Sequence, residues 1–172
     1  MDLARRMRQT VLRTARLTLR PFEDRDIDPL HEILSDMRIM RYWDDVHASR
    51  EATRRFVLGT MSAPADESCD FVIECDGLVI GKCGMWKKPE IGFFVHPDFQ
   101  RRGYAREALL TTIPLLFTTY DMDALTADVD PRNEASLALL TSIGFVETHR
   151  ATGTMTMHGE LCDSVYLALT RG

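Results

Sequence analysis

Nothing in this chain approaches the ~20 consecutive apolar residues that a membrane-spanning helix needs, and no apolar segment follows the positive charges at its start. No membrane partner and no secretory leader are therefore expected. Cysteine is sparse. Cys69, Cys75, Cys83 and Cys162 contain no Cys-x-x-Cys pair, and His31, His47, His96, His149 and His158 fall at no metal-ligand spacing around them. No metal site is expected, and reduced, buried thiols fit a cytoplasmic protein. Positive charge is also short. The net charge of −5 over 172 residues argues against direct nucleic-acid binding. No segment repeats and none is of low complexity.

What is present is an ordinary globular composition at a length that suits one domain with one sizeable core. Its positive charge is uneven. Arg5, Arg6, Arg8, Arg13, Arg16 and Arg20 crowd the start against a single acid, Asp2. Residues 1–13 are expected to form a flexible basic arm and 14–172 the domain. Contact of that arm with a ribosome surface is a second reading of the same arginines.

Alternation over 16–20 predicts a strand, ended by Pro21. Asp28-Pro29 reads as an N-cap with proline at the first helical position, followed by Leu30, Ile33 and Leu34 on one face. A second helix is predicted over 49–61, with Phe56, Val57 and Met61 inward. The segment between, Met40 to Asp45, has no clean period. Residues 71–73 and 78–80 flank Asp76-Gly77 as a hairpin with a type I′ turn. After a turn at 87–89, Glu90–Val95 is a mostly apolar strand expected to be buried on both faces. A helix carries Ala105, Leu109, Leu110, Ile113 and Leu116 or Phe117 inward, with a kink or stop at Pro114. Strand 125–129, helix 133–143 with Gly144 as C-cap, and strands near 145–149 and 165–169 complete the chain. A meander followed by strand–helix–strand–helix–strand implies an α/β fold with a mixed sheet and helices on both faces. The unit 90–129 is a crossover that sets its two strands parallel.

Ligands favour the carboxyl ends of such strands, where Gln100-Arg101-Arg102-Gly103-Tyr104-Ala105 lies. Glycine lets backbone approach a ligand closely. The free N–H groups of a helix start face whatever binds there, and arginines flank them, which suits a pyrophosphate.

Gln-x-x-Gly-x-Ala at 100–105 resembles the acetyl-CoA pyrophosphate loop of the GNAT N-acetyltransferases. Glu90 to Pro97 looks like that family's fourth strand, and Arg106-Glu107-Ala108-Leu109 like the start of its pyrophosphate helix. Asn133-Glu134-Ala135-Ser136 followed by Gly144-Phe145 resembles its fourth helix, and 14–22 its first strand. The motifs span about 14–170 in the family's order. The serine three residues after Asn133 and the start at 14–20 are similar to the RimJ/RimL branch, whose members acetylate N-terminal amines of ribosomal proteins and whose wider membership acts on other amines. The resemblance implies a mixed, mostly antiparallel twisted sheet, acetyl-CoA as donor, and direct transfer to a primary amine in a ternary complex. The acceptor is then a protein N-terminus or a small molecule such as a polyamine or antibiotic, and the chain a monomer or homodimer. A non-catalytic acyl-CoA-binding module is the reading from another class.

On this resemblance, Gln100, Arg101, Arg102, Gly103, Tyr104, Ala105 and Arg106 hold the cofactor. Phe94 and Val95 pair with its pantetheine arm, with a backbone N–H near Val95 facing the developing oxyanion. Asn133 caps its helix and touches the same arm. Many relatives carry a tyrosine acid where this chain has Leu140, and Ser136 is the branch's substitute. Glu90 opens the strand beside the cleft, where desolvation would raise its pKa and suit it to act as base. Asp44 and Asp45 are rivals in the segment that lines the acceptor side, with Trp43 and Trp86 as walls, and His96 is a further candidate base. Cys83 reads as core.

Overall fold

A computed structural model describes residues 3–172. In chain order it has α1 (Leu3–Met7), β1 (Leu12–Arg13), β2 (Leu17–Arg20), α2 (Ile27–Leu34), α3 (Met37–Met40), α4 (Arg50–Ser62), β3 (Cys69–Cys75), β4 (Leu78–Lys87), β5 (Glu90–Val95), α5 (Tyr104–Thr119), β6 (Ala124–Val129), α6 (Glu134–Ser142), β7 (Val146–Met157) and β8 (Glu160–Thr170). The strands form one sheet in the order β1-β2-β3-β4-β5-β6-β8-β7. Every pairing is antiparallel except β5 with β6, the parallel pair that the helical crossover α5 requires.

Alternation along β3 shows how the sheet serves two cores. Cys69, Phe71, Ile73 and Cys75 point into one cluster with Leu109, Ile113 and Leu116 of α5, while Val72 points into another with Leu30 and Leu34 of α2 and Val57 of α4. Helices therefore cover both faces. The hairpin between β3 and β4 turns at Asp76-Gly77, with φ of 50° and 79°, as the type I′ turn demands.

Several expectations need correction. Residues 3–13 lie against the domain rather than standing out as an arm. Ala4 and Met7 are buried, Arg8 donates to the carbonyls of Thr60 and Ala63, and β1 pairs with β2. Asp2 and Met1 are outside the described residues. Helix α2 has its N-cap at Asp26, two residues before the expected Asp28. Asp26 is wholly buried and binds Arg20 at 2.6 Å, and Asp28 instead pairs with Arg50. Met61 and Leu110 are 41% and 44% exposed, because each sits a step round the helix from the buried stripe. Helix α5 runs on through Pro114 to Thr119. The ring occupies the exposed side, where the carbonyl of Leu110 that it leaves unpaired can meet water. The last two strands are longer than the sequence implied. They make one hairpin that turns at His158-Gly159, and β7 is almost entirely exposed at the sheet edge. All four cysteines are free and buried, and burial pushes the thiols of Cys69 and Cys83 up to about 12. Among the described residues no helix is long and apolar enough to cross a membrane, and no group of side chains could hold a metal ion.

Candidate active site

The parallel pair β5–β6 holds together at one rung, Glu90 opposite Thr126, where the Thr126 N–H also binds the Pro89 carbonyl at 3.0 Å. Beyond that rung the strands no longer pair, and a cleft of about 1140 Å³ opens between them. Its lining includes Gly92 to Val95, Gln100, Arg101 and Gly103 to Arg106 of the loop, and Asn133 and Ser136 of the α6 start, while Arg102 stays outside it and lies over the Phe99 ring. Gly92 and Phe93 are only half-buried, so β5 is not covered on both faces as expected.

On its other side β5 pairs with β4. His96 N–H binds the Ile80 carbonyl at 2.6 Å. By the alternation of an antiparallel ladder, the amides of Phe94 and Gly92 also face β4, whereas those of Phe93 and Val95 face the cleft. The Val95 carbonyl receives Gln100 Nε2 at 2.9 Å, which clips the loop to the strand end. Gln100 thus acts through its side chain on the loop itself.

Gly103 begins α5 at φ 79°, and no side chain caps the helix. The first amides of α5 are left open, as helix geometry dictates. Arg101, Arg102 and Arg106 surround them, exposed. Arg16 adds a brace that local sequence reading missed, because it lies far back in the chain. It pairs with Glu107 at 2.7 Å, donates to the Arg102 carbonyl at 2.8 Å and stacks over Tyr104 at 4.5 Å. The uncapped start, the glycine turn and the unpaired strand edge together fit an extended, phosphate-bearing ligand.

Glu90 sits at the fork. Trp86 Nε1 donates to its Oε1 at 3.0 Å. Burial pushes the Glu90 carboxyl above the ordinary carboxylate range, against the pull of that hydrogen bond, and Asp128 across the fork adds to the rise. Asp128 lines the cleft and was missed. The parallel register was the available signal, since Asp128 is two residues beyond Thr126 and shares its face. Asp130, also in the lining, is bound by Arg132 at 2.7 Å, which holds its carboxyl below the ordinary range. Trp43 packs edge-on against Phe56 and Phe94, with centroids 6.0 Å and 5.0 Å away, and Asp44 lies beside it in the lining. Asp45 is not part of the cleft. It receives the His158 N–H at 2.6 Å and ties the β7–β8 turn down. His96 caps the turn at Pro97–Phe99 through the Asp98 amide, and does not line the cleft. Ser136 is half-buried in the cleft wall. Its main-chain N–H donates to Asn133 Oδ1 at 3.2 Å, and its hydroxyl has no hydrogen-bond partner among the described residues. Lys82 and Asp70, a buried ion pair in the same lining, carried no signal beyond alternation.

A cleft that joins an open helix start, suited to a phosphate-bearing donor, to a half-buried carboxyl at the fork has the layout of a group-transfer enzyme. The family comparison makes this specific. The acetyltransferase (GNAT) domain family matches residues 16–146. The chain belongs to the GNAT acetyltransferases, enzymes that draw their acetyl group from acetyl-CoA. It is 29% identical over 171 residues to the uncharacterized N-acetyltransferase p20 of Bacillus licheniformis, covering 93% of this chain and 96% of that one. It is 26% identical to the spermidine N(1)-acetyltransferase of Escherichia coli K12, over 74% of this chain and 71% of that one. Among solved structures it is similar to RimL, the ribosomal L7/L12 alpha-N-protein acetyltransferase, in complex with coenzyme A. The TM-score is 0.84 at 18% identity, covering 94% of this chain and 98% of that one. At that identity the likeness is one of fold, and it places the chain beside the RimL-like structures.

Proposed function

We propose that this chain acetylates a primary amine by direct attack within a ternary complex, and that the fork at Glu90 is where the transfer occurs. The observation that carries this reading is the split of β5 from β6 beside an uncapped helix start. It gives one continuous cleft with a phosphate cradle at one end and a raised-pKa carboxyl in the other. When bound, acetyl-CoA supplies an acetyl group activated as a thioester.

The amides at the start of α5, with Arg101, Arg102 and Arg106 around them, hold the pyrophosphate. The cleft-facing amides and carbonyl of Phe93 and Val95 hold the pantetheine arm as an added strand, beside the aromatic face of Phe94. The Val95 N–H stands where charge develops on the thioester oxygen. Glu90 accepts a proton from the incoming ammonium, directly or through one water. As the C–N bond forms and the C–S bond breaks, Ser136, its hydroxyl free, passes a proton to the departing sulfur and takes back the surplus proton of the acylated nitrogen, directly or through water, while Asn133 fixes the turn that carries it. Asp44 and Trp43 border the acceptor. Asp45 acts on the acceptor side only by pinning the neighbouring turn.

The acceptor is an amine of a protein N-terminus or of a small molecule. RimL-like neighbours favour the first and the spermidine-acetylating relative the second. Thiol release from acetyl-CoA, followed over a panel of peptides, amino acids and polyamines, tests the function. Amine-dependent release with an acetylated product is expected. Tight coenzyme A binding without turnover on any amine would mark a non-catalytic module instead. Because a thiol near pKa ~8.5 is already a fair leaving group at neutral pH, Ser136→Ala is expected to lower kcat by only about tenfold, below the usual range for acid catalysis. A loss under about threefold, read by the same assay, would end its role as acid.

A further inference from the structure

Lys82 stands on β4 with its side chain 1% exposed, and its ammonium donates to Asp70 Oδ1 at 2.9 Å. A lysine so deeply buried needs a partner, and Asp70, 4% exposed, provides it. An ammonium has three N–H donors, however. The other polar or π contact of Nζ among the described residues is with the face of Trp43, 5.9 Å from its centroid. A buried cation bordering the cleft thus keeps donors with no oxygen to receive them.

Gly92 lies at the same place. Its backbone is outside the left-handed region, and a Cβ there would stand 3.5 Å from Lys82 Nζ and 3.5 Å from Trp86 Cδ1. Those are ordinary contacts, so neither conformation nor packing demands glycine. The missing methyl leaves a bare strip of β5. At one end is the Lys82 ammonium. At the other is the Trp86 indole that holds Glu90.

We propose that this strip seats the acceptor and that Lys82 reads an oxygen on it. The acceptor is then an amine with a carbonyl or carboxylate oxygen beside its amino group, the amine lying toward Glu90 and the oxygen toward Lys82. This rests on the acetyl-transfer reading above. A polyamine suits the strip badly, because its second ammonium would meet that of Lys82 at the strip's far end. A peptide N-terminus and a free α-amino acid share the required chemistry.

The test compares alanine amide with isopropylamine, which keeps the branched amine and lacks the carbonyl. Both are measured as kcat/KM for the wild type and for Lys82→Met/Asp70→Leu. Replacing both ions with apolar groups avoids stranding a buried carboxylate. Comparing the alanine amide/isopropylamine ratio between the two proteins cancels the different basicities of the amines. Loss of a charge-assisted hydrogen bond should lower that ratio by about tenfold or more, and a smaller change would overturn the assignment. Should the double variant lose coenzyme A binding, Gly92→Ala decides. Its methyl fits the fold, and it should lower kcat/KM for alanine amide by about tenfold at unchanged coenzyme A affinity. An unaltered value would overturn the proposal, as would a wild type that prefers spermidine to alanine amide. Wild-type rates on alanine, alanine amide and trialanine tell a free amino acid from a chain terminus. Absence of thiol release with every amine would remove the acetyl-transfer reading itself. Release without the ratio change would remove the subsite alone.

Discussion

Gly103→Val is expected to abolish acetyl-CoA binding, with an affinity loss of at least ~100-fold by calorimetry. Two physical effects combine. Gly103 holds φ at 79° at the start of α5, a conformation that costs a β-branched residue roughly 1–3 kcal/mol. A valine would also stand over the open amides proposed to receive the pyrophosphate. The protein itself does not need the space. A Cβ at Gly103 meets only the tip of the Arg16 side chain, at 3.4 Å. The strain is small beside a domain stability of about 5–15 kcal/mol, so the variant should fold and show a cooperative thermal transition. Gly103→Asn separates the two effects, since asparagine tolerates positive φ. If close approach is what the glycine provides, the asparagine variant also loses affinity. If Gly103→Asn binds normally, the glycine matters only for conformation. Normal binding by Gly103→Val would rule out the loop as the cofactor site.

Elements whose chemistry is local were legible in the sequence. Asp76-Gly77 announces its own turn. The apolar run at 90–95, followed by a glycine loop and a helical period, announces a strand–helix crossover, and with it a parallel pair. The open helix start beside the strand edge, the proposed cofactor half of the site, was legible too, because backbone amides at a helix start are set by chain order. What escaped depends on distant contacts. Nothing near Asp26 shows that it turns inward to Arg20, or that the helix therefore starts early. Arg8 looks like a solvated cation until the carbonyls ending α4 are seen to receive it. Asp44 and Asp45 are neighbours of equal chemistry, and only the β7–β8 turn decides which of them faces the cleft. Pro114 breaks a helix in isolation, yet here tertiary packing of Ile113, Leu116 and Phe117 carries α5 past it. The proposed acceptor side draws on β3, β4, β5, β6 and the segment after α3, so Lys82, Asp70 and Asp128 gave no local signal.

Glu90→Gln is expected to lower kcat/KM by about 100- to 1000-fold, the usual worth of a positioned general base. The larger claim concerns pH. Burial raises the Glu90 carboxyl above its ordinary range, and Asp128 adds to the rise, so the wild-type profile should show an acidic limb displaced upward from that of a free carboxylate. Glutamine cannot titrate, and the limb should vanish in the variant. A variant that keeps the limb at near-normal rate would remove Glu90 as base, leaving Asp44 and Asp128 as the cleft carboxylates not ion-paired among the described residues, since Asp70 and Asp130 are held by Lys82 and Arg132. Stability should move the other way. A carboxyl with a raised folded-state pKa favours its protonated form in the fold. Its contribution is complete below the unfolded pKa and is lost as pH rises through the folded one. Above the folded-state pKa the wild type therefore carries an ionised, half-buried Glu90 at a cost to stability, and the glutamine variant does not. Thermal unfolding should find Glu90→Gln the more stable protein above the folded-state pKa of Glu90, with the difference closing as pH falls below the ordinary carboxylate range. An active-site group that weakens the fold at working pH is what a base desolvated for catalysis should be. A carboxyl placed at the fork only to hold Trp86 would instead lose stability when replaced.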